Sequence, residues 1–131
     1  MAGLCAYAID DEAAGLEAAL SDLRIADAKH RLAYILTRAA LLDCERGRVE
    51  SATQRATEAL GYATLLERAT ELLLANAVLA HECSVTGDRK GAARFAREVE
   101  RVRAVGAAAW THDIAARLAS KPKRAARTET I

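Results

Sequence analysis

Residues 47–63 read GRVESATQRATEALGYA, and this stretch decides the fold class. Val49, Ala52, Ala56, Ala59, Leu60 and Ala63 recur at spacings of three and four, with Thr53, Arg55, Thr57 and Glu58 between them. That spacing lays one apolar stripe along an otherwise polar helix. Gly47 precedes the stripe and Gly61 lies near its end, where helix punctuation belongs. Thr64-Leu-Leu-Glu67 has the form of a capping box: the threonine hydroxyl accepts from the backbone N–H three residues on, and the glutamate reaches back. A new helix is therefore predicted from Thr64 to about Ser84. It is apolar over most of its circumference, through Leu65, Leu66, Leu72, Leu73, Leu74, Val78 and Leu79. A helix of that kind is packed on several sides.

Working outward, residues 28–46 have the same all-round apolar character, with Leu32, Ile35, Leu36, Ala39, Ala40 and Leu42, and Asp27 stands where an N-cap would. Residues 88–105 are striped like 49–63: Ala92, Phe95, Ala96, Val99 and Val102 alternate with Arg94, Arg97, Glu98 and Arg101, after an N-cap at Asp88. Residues 11–24 form a helix through Leu16, Leu20 and Leu23, with a helix fragment over 2–9 ahead of it. Residues 107–119, carrying Trp110, Ile114 and Leu118, form the last. The order is buried helix, glycine turn, striped helix, twice over. Gly47 and Gly87 are forty residues apart, and that offset pairs Ala52 with Ala92, Ala56 with Ala96 and Ala59 with Val99. A period of this length signals stacked helical repeats. The expectation is an all-α stack of antiparallel helix hairpins with five to six helices, one domain over 1–119, and a disordered basic tail over 120–131.

Composition agrees. The 131 residues suit one compact domain, 52% are apolar, and the only proline is Pro122. Alanine and leucine dominate the apolar half, which predicts a thin, tightly stacked core. A net charge of +1 gives no global pull toward nucleic acid or anionic membrane. No apolar run approaches the length of a membrane span. The N-terminus MAGLCAYAIDDE lacks a basic region before its apolar start, so no signal peptide is expected, and three cysteines read as free thiols in a reducing cytoplasm.

Gly47-Arg-Val-Glu-Ser-Ala52, Ala56 and Ala59-Leu60 resemble the second half of a tetratricopeptide motif. Gly87-Asp-Arg-Lys-Gly-Ala92, Ala96 and Val99 are similar, with valine for the final alanine. The first halves fit in outline through Leu36, Ala39 and Ala40, and through Leu79 and Ala80. The resemblance covers roughly residues 33–106, with a weaker echo at 13–23. The usual aromatic residues of the first helix are mostly missing, no proline closes a repeat, and the longer period is similar to helical-repeat sensor regions of large bacterial regulators. The resemblance implies a non-catalytic scaffold whose first helices line a groove for a partner protein or peptide. Carried over, that groove holds Tyr34, Thr37, Arg38 and Leu41 from one repeat and Leu74, Ala77, Val78 and His81 from the next. Only Arg38 is suggestive of a carboxylate clamp, so a mildly apolar groove for a helical or extended segment is expected. The alternative implied by the longer period is a ligand-sensing or dimerisation domain, marked by a closed pocket into which Arg38, Asn76 or His81 points.

The chemistry-bearing residues form no catalytic constellation. His81 and Cys83, two apart on a helix, point about 200° away from each other and do not share an ion. No CxxC or HxxxH spacing occurs. Cys5, Cys44 and Cys83 are each thirty-nine apart, as small core residues near helix ends would be in a repeat. His112-Asp113 and His30 read as surface groups, and Asp10-Asp11-Glu12 as a helix start. Lys121-Pro-Lys-Arg-Ala-Ala-Arg127 reads as a solvated tail. No enzyme, cofactor or metal is expected, and nucleic-acid binding is not. Leu4, Tyr7 and Ile9 predict an apolar N-terminal face suited to a homodimer.

Overall fold

The computed structural model describes residues 2–104 and 109–120; of the predicted tail over 120–131 only Ser120 is described, at the end of a helix, and the rest of it and the start of the last predicted helix lie outside the described residues. Seven helices follow in order: α1 Ala2–Asp10, α2 Ala13–Ile25, α3 Lys29–Glu45, α4 Val49–Leu65, α5 Ala69–Thr86, α6 Arg89–Arg103 and α7 Ala109–Ser120. This is one or two more than expected, because 2–10 forms a helix of its own. Helices α1–α2, α3–α4 and α5–α6 pair as antiparallel hairpins. The first helices pack in sequence, α1 on α3, α3 on α5 and α5 on α7, and the second helix of a hairpin packs on the first helix of the next, α2 on α3 and α4 on α5. No described helix is long and apolar enough to cross a membrane.

One turn geometry builds the stack. Asp27, Gly47, Glu67 and Gly87 stand at intervals of twenty residues with φ of 54°, 79°, 53° and 85°. After each, the next backbone N–H donates to the carbonyl five residues back: Ala28 to Leu23, Arg48 to Asp43, Arg68 to Ala63 and Asp88 to Cys83, at 2.8–3.0 Å. These are Schellman closures, which satisfy the orphan carbonyls of a helix end. The forty-residue sequence period is thus two turns of one twenty-residue unit, marked by glycine only at alternate positions.

Two local expectations are corrected by this. Thr64 caps nothing: α4 runs on through Gly61 to Leu65, and Glu67 is the left-handed residue of the turn. Asp27 likewise ends α2, and Ala28 holds the N-cap position of α3. Asp88 does cap α6, its side chain accepting from the Gly91 N–H at 2.9 Å. A side chain in the left-handed region costs about 1–2 kcal/mol that glycine avoids. Glu67→Gly is therefore expected to stabilise the fold by about 1 kcal/mol and to raise Tm by a few degrees. A lowered Tm in a thermal melt would contradict this.

The core is thin, as its composition predicts. The α4 stripe Ala52, Ala56, Ala59 and Ala63 is wholly buried, facing Leu73, Ala77 and Val78 of α5 in one cluster and Leu36 and Ala39 of α3 in the other. Helices α1 and α2 approach closely: a Cβ on Gly3 would stand 2.6 Å from the Gly15 carbonyl oxygen.

The N-terminal face differs from expectation. Leu4 and Tyr7 are buried against α2 and α3, and Ile9 alone of the three is exposed. Tyr7 anchors a polar network. Its hydroxyl donates to Asp43 Oδ1 and accepts from Arg48 Nη1 at 2.9 Å and Arg55 Nη1 at 3.0 Å, while Arg55 Nη1 also reaches Asp43 Oδ2 at 2.6 Å. Arg46 and Arg48 hold Asp11, and Arg55 also holds Glu17. The chain itself thus covers Leu4 and Tyr7 and leaves Ile9 exposed.

Candidate functional site

The eight groove residues do not line one groove. Thr37, Leu74 and Val78 are fully buried, and the Thr37 hydroxyl donates to the carbonyls of Ala33 and Tyr34. Leu41 packs on the edge of the core. Tyr34 borders a recess between α2 and α3, with the Arg38 guanidinium 3.9 Å from its ring centroid. Ala77 and His81 line a different cleft, at the other end of the stack. The first helices are packed on so many sides that few of their residues remain to form a concave wall.

Glu71 occupies the place where Arg38 points. It is buried, and it accepts from Arg38 Nη1 at 2.5 Å and from Arg68 Nε at 2.7 Å. Burial pulls its pKa upward, but the two guanidinium hydrogen bonds outweigh burial and hold the carboxyl below its ordinary value. Its folded pKa lies below the unfolded one. Its stabilisation is therefore complete above the unfolded value of about 4.3 and is lost as pH falls through the folded value. Glu71→Gln is expected to cost about 2 kcal/mol at pH 7. It should also make the loss of stability below about pH 4.5 shallower. Urea midpoints between pH 7 and pH 3 check this; acid limbs of equal slope in the two proteins would sink it.

The cleft beside Ala77 and His81 has a cavity of about 590 Å³. Helix α5 is its floor; α6 contributes Ala92, Ala96 and Val99, and α7 contributes Ala115, Leu118 and Ala119. Its origin follows from the repeat. In the second hairpin Ala52 and Ala56 are sealed in a cluster with α5, and Ala59 in one with α3. In the third, the matching residues are Ala92, half-buried, Ala96, exposed, and Val99, buried in the same core cluster as Ala52 and Ala56. Helix α7 packs on α5 but, among the described residues, makes no comparable contact with α6. Among the described residues an apolar slot is left open between them.

Beneath this slot the structure assembles a group that the sequence did not suggest. His81 and Glu82 of α5 meet Cys44 at the end of α3, with one ligand-capable atom of each within 4.8 Å of the others, and all three residues are buried. Cys83, the neighbour weighed from sequence, turns away to Asp88 and Gly91; burial and then the Asp88 carboxylate push its thiol pKa up. The available signal was the packing order: stacked first helices bring the ends of α3 and α5 together.

Fold and cleft define a class, an all-α stack of three antiparallel helix hairpins closed by a seventh helix that leaves one slot open. Comparisons with protein-family models, with curated proteins and with solved structures found no match.

Proposed function

We propose that this chain is a non-catalytic protein–protein interaction module, of tetratricopeptide-like design, that takes the apolar face of a partner helix into the slot between α6 and α7. The observation that carries the reading is the unequal burial of two equivalent stripes. Ala52 and Ala56 show what such a stripe accepts, since they pack in one cluster with Leu73, Ala77 and Val78 of α5. Ala92 and Ala96 offer the same surface without that cover, beside the buried Val99. An amphipathic helix docking through residues spaced three and four apart is the matching ligand. Arg38, Asn76 and His81 do not converge on one closed pocket: Arg38 is held by Glu71, Asn76 donates to the Leu72 carbonyl, and His81 borders the open slot. That supports docking over small-ligand sensing.

The test is a titration of the labelled chain with a soluble amphipathic peptide bearing the α5 face. Amide shifts confined to residues 77–84, 92–103 and 115–119, and lost in Ala96→Glu, are expected. Shifts spread evenly over the surface, or unaffected by Ala96→Glu, would overturn the reading.

A further inference from the structure

We infer that Cys44, His81 and Glu82 form a buried site for one divalent transition-metal ion of the zinc type. The inference is independent of the docking role. The donor set is a thiolate sulfur, an imidazole nitrogen and a carboxylate oxygen, which suits zinc and its neighbours and not calcium or magnesium, whose ligands are all oxygen. Cys44 Sγ lies 3.4 Å from Glu82 Oε1, and His81 Nε2 lies 3.8 Å from the same oxygen. Metal–ligand bonds of about 2.0–2.3 Å in a tetrahedron separate the donor atoms by about 3.4–3.7 Å. The three groups thus stand near the spacing a shared ion requires.

The surroundings favour the ion further. His81 Nδ1 lies 3.2 Å from the Leu118 carbonyl oxygen. A carbonyl oxygen only accepts, so Nδ1 carries a proton, and a metal ion would take the lone pair of Nε2, 3.8 Å from Glu82 Oε1. Such a hydrogen bond is how proteins orient a metal-ligating imidazole. One thiolate and one carboxylate balance a divalent charge, which removes the cost of burying two acids together. Binding displaces the Cys44 thiol proton to solvent, so affinity rises with pH. His81 also lines the cleft, which gives an ion a way in. The ligands come from α3 and α5, and the second bond of His81 reaches α7, so the ion would join three helices at one point.

The full chain, freed of metal by chelation, is titrated with cobalt(II) chloride at pH 7.5. Binding of one equivalent is expected, with visible bands of tetrahedral cobalt and a thiolate-to-cobalt band in the near ultraviolet. Cys44→Ser should abolish the thiolate band, Glu82→Gln and His81→Gln should weaken binding at least tenfold, and Cys83→Ser should change neither. Equimolar zinc chloride should displace the cobalt and raise the Tm of the wild type but not of Glu82→Gln. If Cys44→Ser loses its helical circular dichroism, Glu82→Gln and His81→Gln decide alone. No stoichiometric cobalt binding, or a thiolate band that survives Cys44→Ser or disappears with Cys83→Ser, would overturn the site.

Discussion

Arg55→Met is expected to destabilise the fold by about 3 kcal/mol, near the lower end for breaking a buried ion pair. Asp43 is wholly buried, and Arg55 is its principal cationic partner at 2.6 Å; Arg48 stands off at 3.9 Å. Removing the guanidinium leaves the carboxylate with the Tyr7 hydroxyl and no close cation. The same guanidinium reaches Glu17 on α2, so the substitution also loosens the first hairpin from the second. For a chain of this length, Tm should fall by about 10 °C. Most of the loss comes from the stranded charge and not from a missing attraction, so Asp43→Asn combined with Arg55→Met should recover part of it. Arg55→Lys should not restore the wild-type value, because an ammonium cannot fork between Tyr7, Asp43 and Glu17. Urea unfolding of the four proteins at pH 7 checks this; a loss under about 1 kcal/mol for Arg55→Met would place the network among surface pairs of little consequence.

Ala56→Leu should cost about 3 kcal/mol, at the upper end for overpacking. Ala96→Leu, forty residues on at the equivalent place, should cost less than about 0.5 kcal/mol, as exposed helix positions do. Ala56 has no exposed surface and stands between α4 and α5, where three added carbons must push two helices apart. Ala96 is exposed and borders the open slot. The same chemical change at repeat-equivalent positions thus separates repeat symmetry from local environment. Equal losses in chemical unfolding would mean that the slot is closed in solution, and would remove the observation on which the docking proposal stands.

The helix-hairpin order was legible because amphipathic stripes and glycine turns are local signals. Val49 to Ala63 reports its stripe without reference to any other residue, and Gly47 and Gly87 mark left-handed turns because glycine tolerates them best. Asp27 and Glu67 occupy the same conformation without that mark. Local chemistry there suggested caps, and packing against the neighbouring hairpin overrode it. The site was less legible. Periodicity says that α5 is apolar all round, which is correct, but it cannot say that Leu74, Thr37 and Val78 are consumed by their neighbours while Ala92 and Ala96 are not. That difference depends on where α7 lies.

Residue types and their spacing alone determined that the chain is all-α, that its helices pair, and that α4 and α6 are equivalent, because helix periodicity and turn propensity act within a few residues. Tertiary structure alone decided which stripe is sealed and which is open, which buried carboxylate meets which arginine, and that Cys44 comes to lie beside His81 and Glu82. Those outcomes rest on contacts between helices, such as Arg38 with Glu71 and Cys44 with Glu82, and contacts of that kind exist only once the hairpins have stacked.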